Sequence, residues 1–194
     1  MAIKLRDDSK IPVKVMFLGK DGTGKSTNAY KFAISRGMNP IAIDFDDTNI
    51  NTGCPVMDID LGSHLKAKQN ILQAIKDVEK DPDYDCLIFD NAGSMVDFIT
   101  ADPEKDPYNK AGTSAFKAIM KALRKSRLNV IFIGQVDFYV EEPGPNKTEK
   151  NNKKAISINA WVNERYYCWR TGDHPNEYQY HCVRDKDREG NKDG

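Results

Sequence analysis

The sequence predicts an α/β fold with a mainly parallel central sheet, flanking helices and a pair of antiparallel strands near the C-terminus. Short apolar runs alternate with longer amphipathic segments along residues 13–135, an order typical of parallel strands connected by helices. Two further strand-like runs, 165–170 and 177–184, are joined by a turn at 171–176, which predicts antiparallel pairing. The chain has 194 residues, the length of one ordinary domain. We therefore expect a single domain over 1–194, with a leader at 1–10 and a mobile loop at 138–157.

The first predicted unit is a strand, a glycine-rich loop and a helix. Residues 13–18 are an apolar run rich in strand formers, and residues 27–36 lack Pro and Gly, which favours a helix. The loop between them fits the pattern G-x-x-x-x-G-K-[ST], in which backbone N–H groups surround phosphate groups. Because the strand and the helix are both present, the match predicts a phosphate-binding loop and not a chance glycine-rich turn. Its candidate residues are Gly19, Lys20, Asp21, Gly22, Thr23, Gly24, Lys25, Ser26 and Thr27.

Each part of this loop has a physical role in binding a chain of phosphates. We expect Gly19, Gly22 and Gly24 to adopt backbone angles that other residues avoid, so that successive N–H groups point at an anion. The helix that opens near Lys25 adds its positive end at the same place. The Lys25 ammonium can reach the β- and γ-phosphates, and the Ser26 hydroxyl can ligate Mg²⁺. Lys25 is therefore a candidate catalytic residue and Ser26 a candidate metal ligand.

The remaining elements follow from hydrophobic periodicity and from turn residues. The strands are predicted at 41–44, 84–90 and 129–135, the helices at 65–80 and 113–127, and a short strand at 56–59. The stretch 141–154 is rich in Pro, Asn and Lys, which predicts a flexible loop or an insertion.

An acidic cluster follows the second strand. Asp46 is a candidate for orienting or deprotonating an attacking water molecule, provided that this strand neighbours the phosphate loop. Spacing alone leaves Asp44 and Asp47 as alternatives for the same role. The cluster also fits a simple strand cap and turn.

Two more polar residues end apolar strands. Asp90 closes the run 87–89, and a carboxylate at the carboxyl end of a sheet strand can hold Mg²⁺ directly or through water. Gln135 follows the run 130–133, where a polar group can bond the γ-phosphate and respond to its loss. Asp90 is thus a second candidate metal ligand, and Gln135 a candidate catalytic residue.

The order of these parts resembles the RecA-type recombination ATPases, including the reduced, core-only members found in phages as single-strand-annealing ATPases. Residues 43–46 are similar to the family's strand with a catalytic acid two residues after an Asp, which gives Asp46 that role, although the family usually has Glu. Residues 87–91 resemble the second nucleotide motif, with Asn91 in place of a common Ser, and residues 130–135 are similar to the strand ending in the nucleotide-sensing Gln. The resemblance spans roughly 12–190. It implies a RecA-like P-loop NTPase that binds ATP and Mg²⁺ and hydrolyses ATP.

The resemblance also implies a DNA-binding segment. The family places a mobile loop directly after the sensor, which corresponds here to residues 138–157. Its lysines suit sequence-independent, salt-sensitive contacts to the phosphates of single-stranded DNA. The candidate DNA-binding residues are Lys147, Lys150, Lys153 and Lys154. An ordinary solvated loop would have the same composition.

A charged segment at the C-terminus resembles a second part of this superfamily. Residues 186–190 are similar to the K-x-R-x-G segment of hexameric helicases, whose Lys and Arg reach into the ATP of the neighbouring subunit. The resemblance makes Lys186 and Arg188 candidate catalytic residues that stabilise charge on the transferring phosphoryl group. It also implies a homo-oligomer with ATP at the subunit interface. The alternative is a charged tail whose acids neutralise its bases.

Composition limits the remaining classes. Lys and Arg number 29 and Asp and Glu number 29, so nucleic acid would have to be bound by a local patch. No apolar run approaches the roughly 20 residues of a membrane span, and the polar N-terminus lacks an apolar signal region. We therefore expect a cytoplasmic protein, located in the host cytoplasm if it is phage-encoded.

The four cysteines form no C-x-x-C pair and are expected to be reduced thiols. Cys168, His174, His181 and Cys182 are zinc-ligand residue types, but their spacing is too irregular for a usual zinc site. His181 and Cys182 are also adjacent on a predicted strand, so their side chains should face opposite ways.

Two other classes that share the phosphate loop stay open. A small-molecule or nucleotide kinase needs a mobile lid, and 141–155 has the length for one but contains no Arg to clamp phosphates. An ATP-dependent loading or assembly factor would bind protein instead of DNA. A GTPase is disfavoured because no N-K-x-D motif follows an apolar strand at the usual place.

Overall fold

The computed structural model describes residues 11–47, 52–100, 110–135, 158, 161–172, 174–177 and 179–186. The strands are β1 (Lys14–Gly19), β2 (Pro40–Asp44), β3 (Cys86–Asp90), β4 (Asn129–Gln135), β5 (Glu164–Thr171) and β6 (Gln179–Lys186). The helices are α1 (Lys25–Ser35), α2 (His64–Lys80), α3 (Ala92–Ile99) and α4 (Lys110–Lys125), with a 3₁₀ turn at Pro175–Glu177.

The six strands form one sheet in the order β2-β3-β4-β1-β5-β6. The pairs from β2 to β5 are parallel, and β6 runs antiparallel to β5. This confirms the predicted α/β fold, with a mainly parallel sheet and antiparallel strands at its C-terminal end. We call the side of the sheet where β1 to β4 end the carboxyl edge. It carries the residues that follow Gly19, Asp44, Asp90 and Gln135.

Side-chain alternation along β1 connects the sheet to a core on each face. Met16 and Leu18 belong to the cluster that α2, α3 and α4 cover. Val15 and Phe17 belong to the opposite cluster, where α1 packs through Ala29 and Ala33. With both faces covered, the central strands are buried over nearly their whole length, which explains their continuous apolar runs.

An ion pair fixes the end of α1 to β5. The guanidinium of Arg36 donates to both carboxylate oxygens of Glu164, at 3.1 and 3.0 Å, and lies over the ring of Phe32. Glu164 is buried, and its carboxylate also accepts a hydrogen bond from the Tyr166 hydroxyl. The helix that follows the phosphate loop is thereby held against the strand beside it.

The structure differs from the sequence prediction in three places. Helix α3 was not predicted; its N-terminus is capped by the Asn91 side chain, which accepts from the Gly93 N–H at 2.7 Å. The short strand expected at 56–59 is reduced to one bridge between Val56 and Ala42. Strand β2 does not neighbour β1, because β3 and β4 lie between them.

Within the described part of the chain, the helices are all too short or too polar to cross a membrane.

Candidate nucleotide site

Predicted site residues from four separate segments converge on one cavity of about 360 Å³ at the carboxyl edge. The phosphate loop and the start of α1 form one wall, and the ends of β3 and β4 form the other. The predicted residues that line it are Asp21, Gly22, Gly24, Lys25, Ser26, Thr27, Asp46, Asp90 and Gln135.

Two of the three loop glycines have the backbone angles that the sequence predicted. Gly22 has φ 67° and Gly24 has φ 76°, in the left-handed region that favours glycine. For Gly19 the prediction was wrong, because its φ is not positive. Glycine is needed there for a different reason: a Cβ would lie 2.3 Å from the Cys168 carbonyl oxygen and 2.5 Å from Thr23 Oγ1. Gly19 lets the loop leave β1 in direct contact with β5.

The Lys25 ammonium is held inside the loop. Lys25 is 9% exposed, and its Nζ donates to the Lys20 carbonyl oxygen at 2.8 Å. Burial lowers the pKa of Lys25, while the nearby carboxylates of Asp21 and Asp90 act in the opposite direction. Thr23 Oγ1 donates to the same carbonyl at 2.7 Å. The loop therefore satisfies its own polar groups, with the ammonium at the cavity wall.

Asp90 is a buried acid at the end of β3. It is 3% exposed, and its Oδ2 has no hydrogen-bond partner among the described residues. Burial raises the pKa of Asp90, a hydrogen bond from Ser26 opposes this, and the carboxylates of Asp44 and Asp46 add to the rise. A buried carboxylate oxygen without a donor, next to a serine hydroxyl, has the donor set of a Mg²⁺ site. The residues present fit the metal that the sequence predicted.

Asp46 reaches the cavity although β2, the strand that precedes it, is the outermost strand of the sheet. The condition set by the sequence, that β2 neighbour the phosphate loop, is not met. Asp46 nevertheless lines the cavity, because the chain turns after Asp44 and crosses toward the loop. The Asp44 carboxylate accepts the Asp46 backbone N–H at 3.2 Å, and Asp47 has φ 53°. This turn presents Asp46, among the three alternatives, to the cavity.

Gln135 joins the end of β4 to the phosphate loop. Its Nε2 donates to Asp21 Oδ1 at 2.7 Å. Strands β1 and β4 are neighbours in which Gly19 lies opposite Gln135, so the two ends meet without any intervening element. The polar residue that the sequence placed at this strand end is thus in direct contact with the loop.

Sequence reasoning missed two residues that lie over the loop. Strands β1 and β5 pair in parallel, with Gly19 opposite Cys168, which brings the C-terminal hairpin to the carboxyl edge. A Cβ on Gly22 would lie 3.0 Å from Arg170 Nη1, and one on Gly24 would lie 3.4 Å from Tyr180 Cδ1. No local pattern marks these two residues; only the pairing of β1 with β5 places them here.

Several predicted residues have no described side chain. Lys147, Lys150, Lys153, Lys154 and Arg188 lie outside the described residues. Lys186 is the last residue of β6, and only its backbone is described; it lies opposite Arg165 in β5.

The fold and the site define a P-loop ATPase core of the RecA-like type. The model of the AAA domain family matches residues 11–162, so the chain belongs to that family. No curated protein sequence matches the chain significantly. Among solved structures, the RadB recombinase superposes with a TM-score of 0.56 at 14% identity, covering 93% of this chain and 83% of that one. The ATPase domain of G40P superposes with a TM-score of 0.55 at 13% identity, covering 92% of this chain and 78% of that one.

Proposed function

We propose that this protein binds and hydrolyses ATP with Mg²⁺ and acts on single-stranded DNA in homologous recombination or strand annealing, as a homo-oligomer. The proposal is carried by one observation: Lys25, Ser26, Asp46, Asp90 and Gln135 line the same cavity. They come from four separate segments of the chain, and each has a chemical role in phosphoryl transfer. The recombinase and ATPase-domain likenesses support the same fold.

The loop binds the phosphates through its backbone and through Lys25. Gly22 and Gly24 line the cavity with positive φ angles, and Gly24 is the N-cap residue of α1. Positive helix ends and converging N–H groups favour anions. The Lys25 ammonium exchanges the Lys20 carbonyl for a phosphate oxygen.

Asp90 and Ser26 would hold the metal, and Asp46 would act on water. Bound Mg²⁺ neutralises charge that develops on the phosphate oxygens. A metal held here, directly or through water, would also give Asp90 Oδ2 a partner, which it lacks among the described residues. Asp46 is exposed, so it can take a proton from, or orient, a water molecule aimed at the γ-phosphate. Asp is one methylene shorter than the Glu usual in RecA-type ATPases, which favours a slower reaction.

Gln135 couples the nucleotide to the lysine-rich segment. It ends β4, and the chain continues directly into the segment that carries Lys147 to Lys154. A γ-phosphate would compete with Asp21 for the Gln135 amide. The presence or loss of this phosphate would then change the contacts of Gln135, the residue from which the chain leads into this segment.

Lys186 and Arg188 act on the ATP of a neighbouring subunit. Gly19 of β1 is paired with Cys168 of β5, and Cys168 is paired with Cys182 of β6. Because β6 is antiparallel to β5, the chain after Cys182 runs away from the carboxyl edge. Lys186 is four residues further along β6, or about 13 Å at the usual rise of a strand. A lysine side chain cannot span that distance together with two strand spacings. If Lys186 acts on ATP, it would therefore have to do so in a second copy of the chain.

The test of the DNA proposal is ATP hydrolysis with and without single-stranded DNA, across a salt series. We expect stimulation that fades with salt. Replacing Lys147, Lys150, Lys153 and Lys154 with Ala should lower the log–log salt slope of DNA binding by about 0.7 per lost phosphate contact. The control replaces four exposed helix lysines away from the site: Lys76, Lys80, Lys121 and Lys125. Equal effects in both variants, or no stimulation at any salt, would contradict the proposal and favour a kinase or a loading factor.

The coupling is tested with Gln135→Ala. This variant should bind ATP as the wild type does, but its DNA affinity should no longer depend on the nucleotide. Unchanged coupling would rule out the role of Gln135.

The contribution from a neighbouring subunit is tested by mixing two inactive variants. Lys25→Ala and Arg188→Ala should each lack activity alone. In an equal mixture, one interface in four should pair a subunit with intact Lys25 and a neighbour with intact Arg188. The mixture should therefore recover about a quarter of the wild-type rate. A mixture as inactive as its components would show that Arg188 does not act across an interface.

A further inference from the structure

Two cysteines of the C-terminal hairpin lie side by side. Cys168 in β5 is directly opposite Cys182 in β6, and their Sγ atoms are 3.0 Å apart. Both are free thiols joined by an S–H···S hydrogen bond. Because the two sulfur atoms are already adjacent on paired strands, a disulfide between them needs no change of strand register.

This pair is next to the phosphate loop. Cys168 lies opposite Gly19 in the parallel pairing of β1 and β5, and its carbonyl oxygen occupies the space that a side chain at Gly19 would need. Two residues further along β5 is Arg170, opposite Tyr180 of β6, and these side chains lie over Gly22 and Gly24. A covalent bond here would therefore act on the hairpin that covers the loop.

The two thiols differ in access and in acidity. Cys168 is fully buried, whereas Cys182 is half-buried on the last strand of the sheet. The hydrogen bond between the two thiols lowers the pKa of Cys182, which is also the thiol of the pair that solvent can reach. A thiolate that solvent can reach is the form that reacts with oxidants.

The other two cysteines lack these properties. Cys54 and Cys86 are both buried. Burial raises the pKa of Cys54 to about 11 and raises that of Cys86 further still. They therefore serve as internal controls in the same chain.

We propose that Cys168 and Cys182 are a reversible oxidation site, at which a peroxide converts the thiol pair into a disulfide that fastens β6 to β5 beside the phosphate loop. The Cys182 thiolate attacks one peroxide oxygen, the O–O bond breaks, and the departing hydroxide takes a proton to become water. The Cys168 sulfur then attacks the Cys182 sulfenic acid, the S–O bond breaks, and a second water leaves with the Cys168 proton. Together the two thiols lose two electrons, and these electrons reduce one peroxide molecule to two water molecules.

The fold allows the small movement that this bond requires. The sulfur atoms must approach from 3.0 Å to about 2.05 Å. Cys168 is held between β1 and β6, while β6 pairs with β5 alone within the described sheet. The edge strand β6 can therefore supply most of the shift.

The first measurement is a peptide map of the full-length protein after hydrogen peroxide treatment and thiol blocking. Before blocking, we expect an intact mass lower by about 2 Da, for two lost hydrogens. After blocking, the map should contain one cross-linked peptide pair with Cys168 and Cys182. Dithiothreitol should reverse both changes. This measurement needs no variant, so it does not depend on a substituted protein folding.

The second measurement is thermal unfolding of the oxidised and reduced forms. Closing the short loop between the two cysteines should raise Tm by about 5–10 °C, and amide exchange along β6 should slow. Cys182→Ser should abolish both effects, whereas Cys54→Ala should retain them. Sulfinic acid at Cys182 with Cys168 still free, a disulfide to a second molecule, or equal Tm values for both forms would overturn the proposal. No readout requires nucleotide, so this test is separate from that of ATP binding.

Discussion

Gly19→Ala tests the packing that positions the phosphate loop. The added Cβ would lie 2.3 Å from the carbonyl oxygen of Cys168, about 0.7 Å inside the 3.0 Å that real Cβ atoms keep. It would also lie 2.5 Å from Thr23 Oγ1. The carbonyl belongs to the backbone of β5, which pairs with β1 on one side and β6 on the other. It cannot rotate away as a side chain would.

The cost can be estimated from this overlap. Inserting a methyl group into a packed region costs about 1–3 kcal/mol, and a rigid backbone neighbour places Gly19→Ala near the upper end. For a chain of this size, that corresponds to a fall in Tm of about 5–10 °C. A shift in Thr23 also disturbs its hydrogen bond to Lys20, which bonds Lys25. We expect ATP hydrolysis to fall by about 10²-fold.

The assay compares Gly19→Ala with two other glycine substitutions by chemical denaturation and nucleotide binding. A Cβ on Gly134 would lie 2.9 Å from Met16 Cε and 3.1 Å from Leu18 Cδ2, both ends of flexible side chains. Gly134→Ala should therefore cost about 1 kcal/mol or less. Gly37 has φ 70° with nothing within 4 Å, so Gly37→Ala measures backbone strain alone, about 1–2 kcal/mol. If Gly19→Ala matched Gly134→Ala in both stability and nucleotide affinity, the contact between Gly19 and β5 would not be the constraint described here.

Three further substitutions test other parts of the structure. Asp90→Asn should stabilise the nucleotide-free protein at pH 7 by about 1 kcal/mol, since it removes a buried charge whose Oδ2 lacks a partner among the described residues, and it should abolish Mg²⁺-dependent hydrolysis. Because burial raises the pKa of Asp90, wild-type stability falls as pH rises through that pKa, and this part of the pH profile should be absent in the variant. Glu164→Gln should destabilise the protein by about 1–2 kcal/mol in urea denaturation, because it leaves Arg36 without its paired charge, while the partial exposure of Arg36 limits the loss. Burial lowers the pKa of Lys14 to about 8, from 10.5 when unfolded, so wild-type stability should rise between these pH values; Lys14→Met should flatten that rise.

Each of these predictions has a result that contradicts it. An Asp90→Asn protein less stable than wild type at pH 7 would mean that the carboxylate is well paired without metal. For Glu164, a double-mutant cycle with Arg36→Ala that showed no coupling energy would mean that this ion pair does not stabilise the protein. For Lys14, an unchanged slope of stability between pH 8 and 10.5 in Lys14→Met would show that its ammonium is fully solvated.

The parts of the fold that the sequence predicts are those with signals in contiguous residues. The phosphate loop is one unbroken pattern, and β4 was predicted with the bounds that the structure has, Asn129–Gln135. Helix α3 has no such signal, because its eight residues include Gly93 and Ser94, which are poor helix formers. It forms because Met95 and Ile99 are completely buried in the core, a tertiary effect that local propensity does not contain.

The site depends on strand order, which the sequence does not state. Asp46 was proposed on the condition that its strand neighbours the loop, yet it reaches the cavity from the far side of β3 and β4. The sequence thus named a residue that lines the cavity, but the geometric reason given for it was incorrect, and its catalytic role stays a prediction. Arg170 and Tyr180 show the reverse case: ordinary residues of a hairpin become part of the loop's surroundings because β5 pairs with β1.

The hydrogen bonds of the loop bear on how a ligand would be bound. Lys25 and Gln135, the two groups expected to contact phosphates, each already have a partner in the protein: the Lys20 carbonyl at 2.8 Å and the Asp21 carboxylate at 2.7 Å. At Gln135, binding would exchange one neutral donor's partner for another, so this contact contributes little net affinity. The Lys25 ammonium has three N–H donors, so it can bind a charged phosphate oxygen in addition to the neutral carbonyl, and that contact is the stronger one. The exchange at Gln135 also releases a carboxylate that would repel the phosphates. Affinity should then come mainly from Lys25, from the backbone N–H groups at Gly22 and Gly24 and from a metal that Asp90 would hold, whereas the proposed role of Gln135 is to discriminate between nucleotide states.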